Sequence, residues 1–372
     1  MSTTSRGPAP TVASREDAPG LVVPAGVVPP PTDRWTSRHL LGLGTLSPGE
    51  IRAVLRRARE LAPLSASLGP RDDNPDTPWA LARREGQRLA GRVVANLFFE
   101  DSTRTRTSFT VAARRLGAEV VDLFVIASSV SKGETLIDTA KNVEATGVDA
   151  LVVRARQAGA AALLADHVRC SVVNAGDGGH EHPTQGLLDA YTIAEAHGRL
   201  DAFDLAGLRV AIVGDIVASR VARSNIAGLT RLGAEVVCVG PPALAPRSLE
   251  VLGCRVSHDL DEVLPTVDAV MMLRIQFERH GTPAVAPLPG AAPKRSAAIA
   301  SVREYRTFYG LSEERAERMK PSAVVIHPGP INRGIELDHA VADGPRSVVL
   351  RQVRHGVAVR MAALSMCVLA SA

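Results

Sequence analysis

Between Phe99 and Phe109 the chain carries Ser102, Thr103, Arg104, Thr105 and Arg106 in unbroken succession. Hydroxyls alternating with guanidiniums are the donors that hold an oxyanion. The stretch before them, from Arg92 to Phe99, is apolar and strand-like, and Thr105 to Leu116 reads as a helix ended by Gly117. The cluster therefore falls at a strand-to-helix turn, where free backbone N–H groups and the helix dipole favour an anion. Hydroxyls beside the fork-shaped Arg104 make a phosphate cradle, each charge-assisted hydrogen bond contributing about 1.5–3 kcal/mol. An ordinary helix cap at Asp101 or Ser102 would need one hydroxyl, not three.

Other stretches could complete such a site. Ser128 to Glu134 is a hydroxyl-rich loop holding Lys132, one of only four lysines among 43 basic residues, although its composition also suits a solvated loop. The run from Gly176 to Gln185 follows a strand ending at Asn174 and opens a helix, which places His182 and Gln185 near a strand's carboxyl end. His180 and His182 flank Glu181, but no third ligand stands at a credible spacing, so no metal is expected. The glycines there do not fit G-x-G-x-x-G, which argues against a dinucleotide. Arg220 follows Val213-Gly214-Asp215, Arg274-Ile275-Gln276-Phe277-Glu278-Arg279 follows a strand ending at Leu273, and His327-Pro328-Gly329-Pro330-Ile331-Asn332-Arg333 follows Ile326. Singly these are ordinary surface features. Together they share the address at which open parallel sheets bind ligands, beyond the carboxyl ends of the strands.

The elements that must position these groups alternate. Short β-branched runs at Arg92–Leu97, Glu119–Phe124, Ala150–Val153 and Ser171–Asn174 are separated by helical stretches, and a long helix from about Pro183 to His197 precedes a second set at Arg209–Val213, Glu235–Val239, Ala269–Leu273 and Ala323–Ile326. This predicts an α/β protein with two doubly wound parallel-sheet domains and an active site in the crevice between them. Ser47-Pro48-Gly49-Glu50 is a capping box that starts the first helix, with Ile51, Val54, Leu55, Ala58 and Leu61 on its apolar face. Residues 1–34 hold seven prolines and little periodicity and read as a disordered arm. Residues 64–88 and 279–301 read as irregular insertions, and Val353 to Leu369 as a last helix.

The 372 residues, 45% hydrophobic and 22% charged, suit a soluble protein with two cores. The net charge of +4 is scattered and aromatics are 3%, which argues against nucleic acid and fits small anionic substrates. No uninterrupted apolar run approaches the ~18 residues a membrane helix needs, and the N-terminus lacks a signal-peptide core, so a cytoplasmic location without membrane contact is expected. Cys170, Cys238, Cys254 and Cys367 form no Cys-x-x-Cys pair and read as buried free thiols.

Taken in order, Ser102 to Arg106, Ser128 to Glu134, His182-Pro183-Thr184-Gln185, Arg274-x-Gln276-x-Glu278-Arg279 and His327-Pro328-Gly329-Pro330 resemble the aspartate carbamoyltransferase family from about Trp35 to the C-terminus. The resemblance implies transfer of a carbamoyl group from carbamoyl phosphate to the α-amino group of L-aspartate, in pyrimidine biosynthesis, without metal or organic cofactor. It implies that Ser102, Thr103, Arg104 and Thr105 hold the phosphate, that Thr105, Arg154 and His182 polarise the carbamoyl oxygen, and that Gln185 fixes the carbamoyl nitrogen. Ser128 and Lys132 would enter from a neighbouring subunit of a homotrimer with shared sites. Arg220, Arg274 and Gln276, with Lys132 and the Gly329-Pro330 backbone, would bind aspartate. Residues 35–190 with a helix at 350–372 would then form the carbamoyl-phosphate domain and 191–349 the aspartate domain. Regulatory chains or a dihydroorotase are further partners the resemblance allows. Thr110, Ala155 and the two long insertions depart from the family pattern. The Ser-Met-Gly and His-Cys-Leu-Pro motifs of ornithine enzymes are absent, and two arginines suit a dicarboxylate better than a diamino acid. A catalytically silent scaffold would not need the full set of site residues.

Overall fold

The computed structural model describes residues 34–65, 77–124, 134–275 and 301–370. Ser128, Lys132, Gln276 and the expected N-terminal arm lie outside these residues, as do 66–76 of the first expected insertion and nearly all of the second. Helix α1 (Pro48–Leu61) begins as its sequence requires: Ser47 Oγ accepts from Glu50 N at 3.2 Å while a Glu50 carboxylate oxygen accepts from Ser47 N at 2.9 Å. Its buried side chains include the five expected apolar positions.

Four parallel strands, β1 (Val93–Phe98), β2 (Glu119–Phe124), β3 (Ala150–Ala155) and β4 (Ser171–Asp177), form one sheet in the order β2-β1-β3-β4. Five more, β5 (Arg209–Val213), β6 (Glu235–Val239), β7 (Arg255–Ser257), β8 (Ala269–Met272) and β9 (Val324–Ile326), form a second parallel sheet in the order β7-β6-β5-β8-β9. Helices α2 (Pro78–Glu85), α3 (Thr103–Arg115), α4 (Leu136–Ala145), α5 (Ala160–Ala165) and α6 (Pro183–Ala196) lie in the first half of the chain, and α7 (Arg220–Arg231) opens the second, followed by α8 (Leu260–Val263), α9 (Val302–Tyr309), α10 (Glu313–Glu317) and α11 (His339–Ala342). The expected two-sheet α/β class is what the chain adopts. Strand order reverses beside β1 and β3 in the first sheet and beside β5 and β8 in the second, so each sheet opens a crevice at those strand ends. Ser102, Arg154, Arg220 and Arg274 stand at the carboxyl ends of the strands beside those reversals, or in the segments that follow them.

Burial explains why the strands were legible. Every residue of β4 is buried, and every residue of β3 except Arg154, as a parallel sheet covered on both faces demands. The sequence reading differs at several points. Residues 64–88 are not wholly irregular: α2 forms there, and Arg57 of α1 pairs with its Glu85. Strand β7 spans three residues, too few for a periodic signal. Helix α3 starts at Thr103, so Thr103 to Thr105 are its first turn rather than the loop before it.

The last helix, α12 (Val349–Ala370), starts ahead of Val353 and close to the bounds 350–372, and by length and mean hydropathy of 1.4 it could cross a membrane. Two-thirds of that apolar stretch, 67%, is buried within the protein against α1, α3 and α6, so it behaves as a core helix. Helix α6 is buried without interruption from Pro183 to Ala194 and packs on α7 as well as α12. The expected division after residue 190 falls inside it. All four cysteines are buried, and none of them forms a disulfide.

Glu181 joins the N-terminal segment to these central helices. Its carboxylate accepts from Leu43 N at 2.8 Å, Gly44 N at 2.9 Å and Ser224 Oγ at 2.7 Å. Gly42 permits this approach, because a Cβ there would stand 2.6 Å from Glu181 Oε1. Removing the carboxylate orphans two backbone donors and a hydroxyl, each costing about 1–3 kcal/mol where water cannot replace the partner. Glu181→Ala is expected to lose about 3 kcal/mol in urea unfolding, and Glu181→Gln less. A loss below about 1 kcal/mol in the alanine variant would mean that water takes over these bonds.

Candidate active site

Strand β1 delivers Phe99 to Ser102 to the start of α3. Ser102 is the N-cap residue, yet its hydroxyl caps nothing, and the first turn contains no acidic side chain. The first turn's N–H groups have no intrahelical partners, and an anion can satisfy them. Thr103 and Arg104 are exposed and Thr105 is half-buried. The turn after β9 reaches the same place: a Cβ on Gly329, whose φ is +68°, would stand 3.5 Å from Arg104 Cζ. The two sheets thus bring their strand-end turns together over the Arg104 guanidinium.

Deeper in the crevice, Glu100 serves two guanidiniums. Arg154 Nε, at the end of β3, lies 2.8 Å from Glu100 Oε1, and Arg220, the first residue of α7, donates to the same oxygen. Arg154 Nη1 also donates to the Ala175 carbonyl at 3.1 Å. Burial, with Arg220 nearby, holds the Arg154 pKa down to about 10 against the opposing pull of Glu100, so it stays charged at neutral pH. Gly176, at φ +114°, leaves room for Arg220, since a Cβ there would meet its Nε at 2.9 Å.

His182 caps α6, and its backbone N–H is fixed by Ser224 Oγ at 2.8 Å, the hydroxyl that Glu181 orients. The imidazole is 4% exposed and Nδ1 has no hydrogen-bond partner among the described residues. Burial, then the charges of Arg154, Arg220 and Arg360, hold its pKa well below 6.5, so the ring is neutral at physiological pH. One turn on, Gln185 Nε2 donates to Asp189 Oδ1 at 2.8 Å.

The second sheet contributes Arg274, whose Nε lies 3.4 Å from Asn332 Oδ1. Asn332 Nδ2 donates to the Ile275 carbonyl at 3.2 Å and its N–H to Glu336 at 2.5 Å. The turn between β9 and Asn332 is braced by Gly329 N donating to His327 Nδ1 at 2.7 Å. The structure therefore brings Arg154, His182 and Arg220 together around Glu100 through direct contacts or shared charge and sets Gly329 against Arg104, with Ser102, Thr103 and Thr105 at the same helix start as Arg104 and Arg274 in the turn cluster beside β8. Ser128, Lys132 and Gln276 lie outside the described residues. Sequence reasoning passed over Glu100, Asp189 and Ser224, weighed Glu181 only as a metal ligand, and named Asn332 within its turn without a role. Glu100 alone left a usable trace, an acid set directly at the end of an apolar strand and ahead of a basic cluster. Among the described residues, no group of three or more His, Cys, Asp or Glu side chains is arranged to hold a metal ion.

Two family models match the chain. The carbamoyl-P binding domain of aspartate/ornithine carbamoyltransferases covers residues 38–195 and the Asp/Orn binding domain covers residues 206–367. The aspartate carbamoyltransferase catalytic subunit of Myxococcus xanthus is 52% identical over 330 residues, 89% of this chain and 99% of the relative. That of Rhodospirillum rubrum is 51% identical over 331 residues, 89% of this chain and 93% of the relative. Among solved structures, aspartate transcarbamoylase from Trypanosoma cruzi in complex with carbamoyl phosphate and aspartate superposes with a TM-score of 0.70 at 28% identity, covering 91% of this chain and 97% of that one. Ornithine carbamoyltransferase from Thermus thermophilus gives 0.71 at 26% identity, covering 89% and 99%. Aspartate and ornithine enzymes share this backbone, and the relatives at 51–52% identity named above are aspartate carbamoyltransferase catalytic subunits. The chain belongs to the aspartate/ornithine carbamoyltransferase family, among its aspartate carbamoyltransferase catalytic subunits.

Proposed function

We propose that this protein transfers the carbamoyl group of carbamoyl phosphate to the α-amino group of L-aspartate, giving N-carbamoyl-L-aspartate and phosphate for pyrimidine biosynthesis. The observation that carries the reading is the neutral His182 ring, its Nδ1 without a partner among the described residues, within the field of the Arg154 and Arg220 guanidiniums that share Glu100. In this reading Ser102, Thr103, Arg104 and Thr105 bind the phosphate. Thr105, Arg154 and His182 donate to the carbamoyl oxygen, where negative charge grows as the amine attacks, each such donor contributing roughly 10² to 10³ in rate. A neutral imidazole supplies a donor without adding another charge. Gln185 meets the carbamoyl nitrogen, and Arg220, Arg274 and Gln276 with the Gly329-Pro330 backbone meet the aspartate carboxylates. The departing phosphate accepts the amine proton, so no side chain is needed as a base. Holding two anions together among arginines supplies much of the remaining acceleration.

The finer reading is of a cytoplasmic homotrimer whose sites are completed by Ser128 and Lys132 of a neighbouring subunit. Residues 35–190 with 350–372 form the carbamoyl-phosphate part, 191–349 the aspartate part, and 1–34 an arm outside both. Regulatory chains or a dihydroorotase are the partners such a trimer would take. A steady-state assay with carbamoyl phosphate and a panel of amino acids tests the activity directly: aspartate alone should be carbamoylated, and turnover of ornithine instead would overturn the assignment.

Arg104→Ala is expected to abolish detectable turnover without changing the melting temperature, because the exposed guanidinium adds little to packing but meets a dianion. Retention of more than about a tenth of wild-type kcat/KM, a loss under ~1.4 kcal/mol, would remove Arg104 from the phosphate site.

The neutral His182 has a pH signature. Because its pKa is held well below 6.5, the folded chain binds fewer protons there than the unfolded chain, and stability rises with pH through that window. Acidification below about 6.5 should therefore cost stability, and His182→Gln should remove that part of the slope. Asp189, pushed up from 3.8 to about 6, acts with the opposite sign, which is why the difference between the two proteins is the quantity to follow. A difference that stays flat with pH would place His182 in a solvated position.

Shared sites can be tested by mixing. Arg104→Ala and Lys132→Ala chains, each inactive alone, should regain activity when unfolded together and reassembled at equal ratio, since about a quarter of sites then combine both native groups. Mixed trimers confirmed by mass but without activity would keep Lys132 out of the neighbour's site.

A further inference from the structure

An amide side chain has two nearly identical ends with opposite hydrogen-bonding character, so a site that relies on one must also decide which way it points. Gln185 and Asp189 are four residues apart on α6 and share a face. Gln185 Nε2 donates to Asp189 Oδ1 at 2.8 Å, and Gln352 Nε2, from α12, donates to the same oxygen at 2.6 Å. Asn225 Nδ2, from α7, donates to Oδ2 at 2.8 Å. Asp189 itself has no exposed surface. Burial pushes its carboxyl up to about 6 while the three amides, with Arg360, pull against that, so at alkaline pH it is ionised and can only accept.

An acceptor-only group surrounded by three amides allows only one arrangement: each must turn its NH₂ inward. For Gln185 this directs Oε1 away from Asp189, and no described group donates to that oxygen. A lone acceptor is the partner that a carbamoyl NH₂ requires, and a methyl in the same place would leave it unpaired. We propose that Asp189 is a specificity-determining positioning residue: by locking the Gln185 amide in one orientation, it makes the site choose carbamoyl phosphate over its methyl isostere, acetyl phosphate. The inference rests on the reading of Gln185 as the partner of the carbamoyl nitrogen. Asp189 acts only through Gln185. Sites built to hydrogen-bond a substrate N–H reject analogues lacking it by about 10⁴ to 10⁵, and an amide free to flip forfeits much of that ratio.

The test is the ratio of kcat/KM for carbamoyl phosphate to that for acetyl phosphate, at saturating aspartate and alkaline pH, in the full chain. In Asp189→Asn, an oxygen stays toward Gln185 only if Asn225 flips and gives up its bond to the Val221 carbonyl, while an NH₂ toward Gln185 flips the Gln185 amide, so the single orientation is no longer enforced. The preference for carbamoyl phosphate should fall about tenfold or more. In the double variant Asp189→Asn/Asn225→Asp the carboxylate moves to α7, accepts from the new amide and turns that amide's oxygen back to Gln185. It loses the 3.0 Å bond from Asn225 Nδ2 to the Val221 carbonyl, but the preference should return to within about threefold of wild type.

A single variant that slows both donors alike, with the ratio unchanged, would overturn the proposal and leave Asp189 a packing role. So would a double variant as permissive as the single one. If the single variant does not fold, the double decides alone: a kept ratio supports the proposal and a collapsed ratio overturns it. A wild-type protein that does not prefer carbamoyl phosphate would overturn the functional reading beneath the proposal, and that failure is visible before any variant is made.

Discussion

Glu100 holds two largely shielded guanidiniums at one carboxylate oxygen, Arg154 from β3 of the first sheet and Arg220 from α7, the helix that follows β5 of the second. A crevice that collects arginines for a dianion must keep them charged, close together and largely dry before the anion arrives, and like charges in low dielectric repel strongly. One carboxylate shared between the two relieves that repulsion. It also ties the end of β3 to the start of α7, so the electrostatic need of the site becomes a structural link between the sheets. Both arginines keep hydrogen-bonding capacity for an incoming ligand, because a single oxygen cannot satisfy the several donors each guanidinium carries.

Buried acids repeat this role elsewhere. Glu181 fastens the N-terminal segment and orients Ser224, which holds the His182 backbone, and Asp189 gathers amides from three helices. Beyond Asp189 the polar chain continues, as Gln352 Oε1 accepts from the His327 N–H at 3.0 Å and Glu336 lies 3.4 Å from the His327 ring. Glu336 also holds the Asn332 backbone beside Arg274. An unbroken path of buried polar groups therefore joins the helix that carries His182 and Gln185 to the turn that carries Gly329. Directional bonds along such a path favour one arrangement of the core, and among the described residues His327 Nε2, Glu336 Oε2 and Asn225 Oδ1 are the buried atoms in it that make no hydrogen bond.

The cost of burying so much polarity is met by the helices around it. Helix α6 is buried over three consecutive turns, and α12 shields it from the other side while packing on α1 and α3. That shielding lowers the local dielectric, which depresses His182 and Arg154 and raises Asp189. The same helix that looks membrane-like by composition thus supplies the dry surroundings in which the crevice's charges act.

The sequence alone determined the fold class and the kinds of residue that stand at the strand ends. Buried parallel strands are written as short apolar runs, helix starts as capping boxes and prolines, and donors for an anion as hydroxyls and arginines at strand ends, all of them local patterns. Glu119–Phe124, Arg209–Val213 and Glu235–Val239 were legible to the residue for that reason. What only the tertiary structure decided is pairing. That Glu100 meets Arg220, 120 positions away, that Gly329 lies against Arg104, and that Asp189 faces Gln352 from the far end of the chain depend on how two sheets and three helices meet in space. A carboxylate beside an arginine in space leaves no periodic trace in sequence, so Glu100, Glu181 and Asp189 read as ordinary acids until packing removed the water around them.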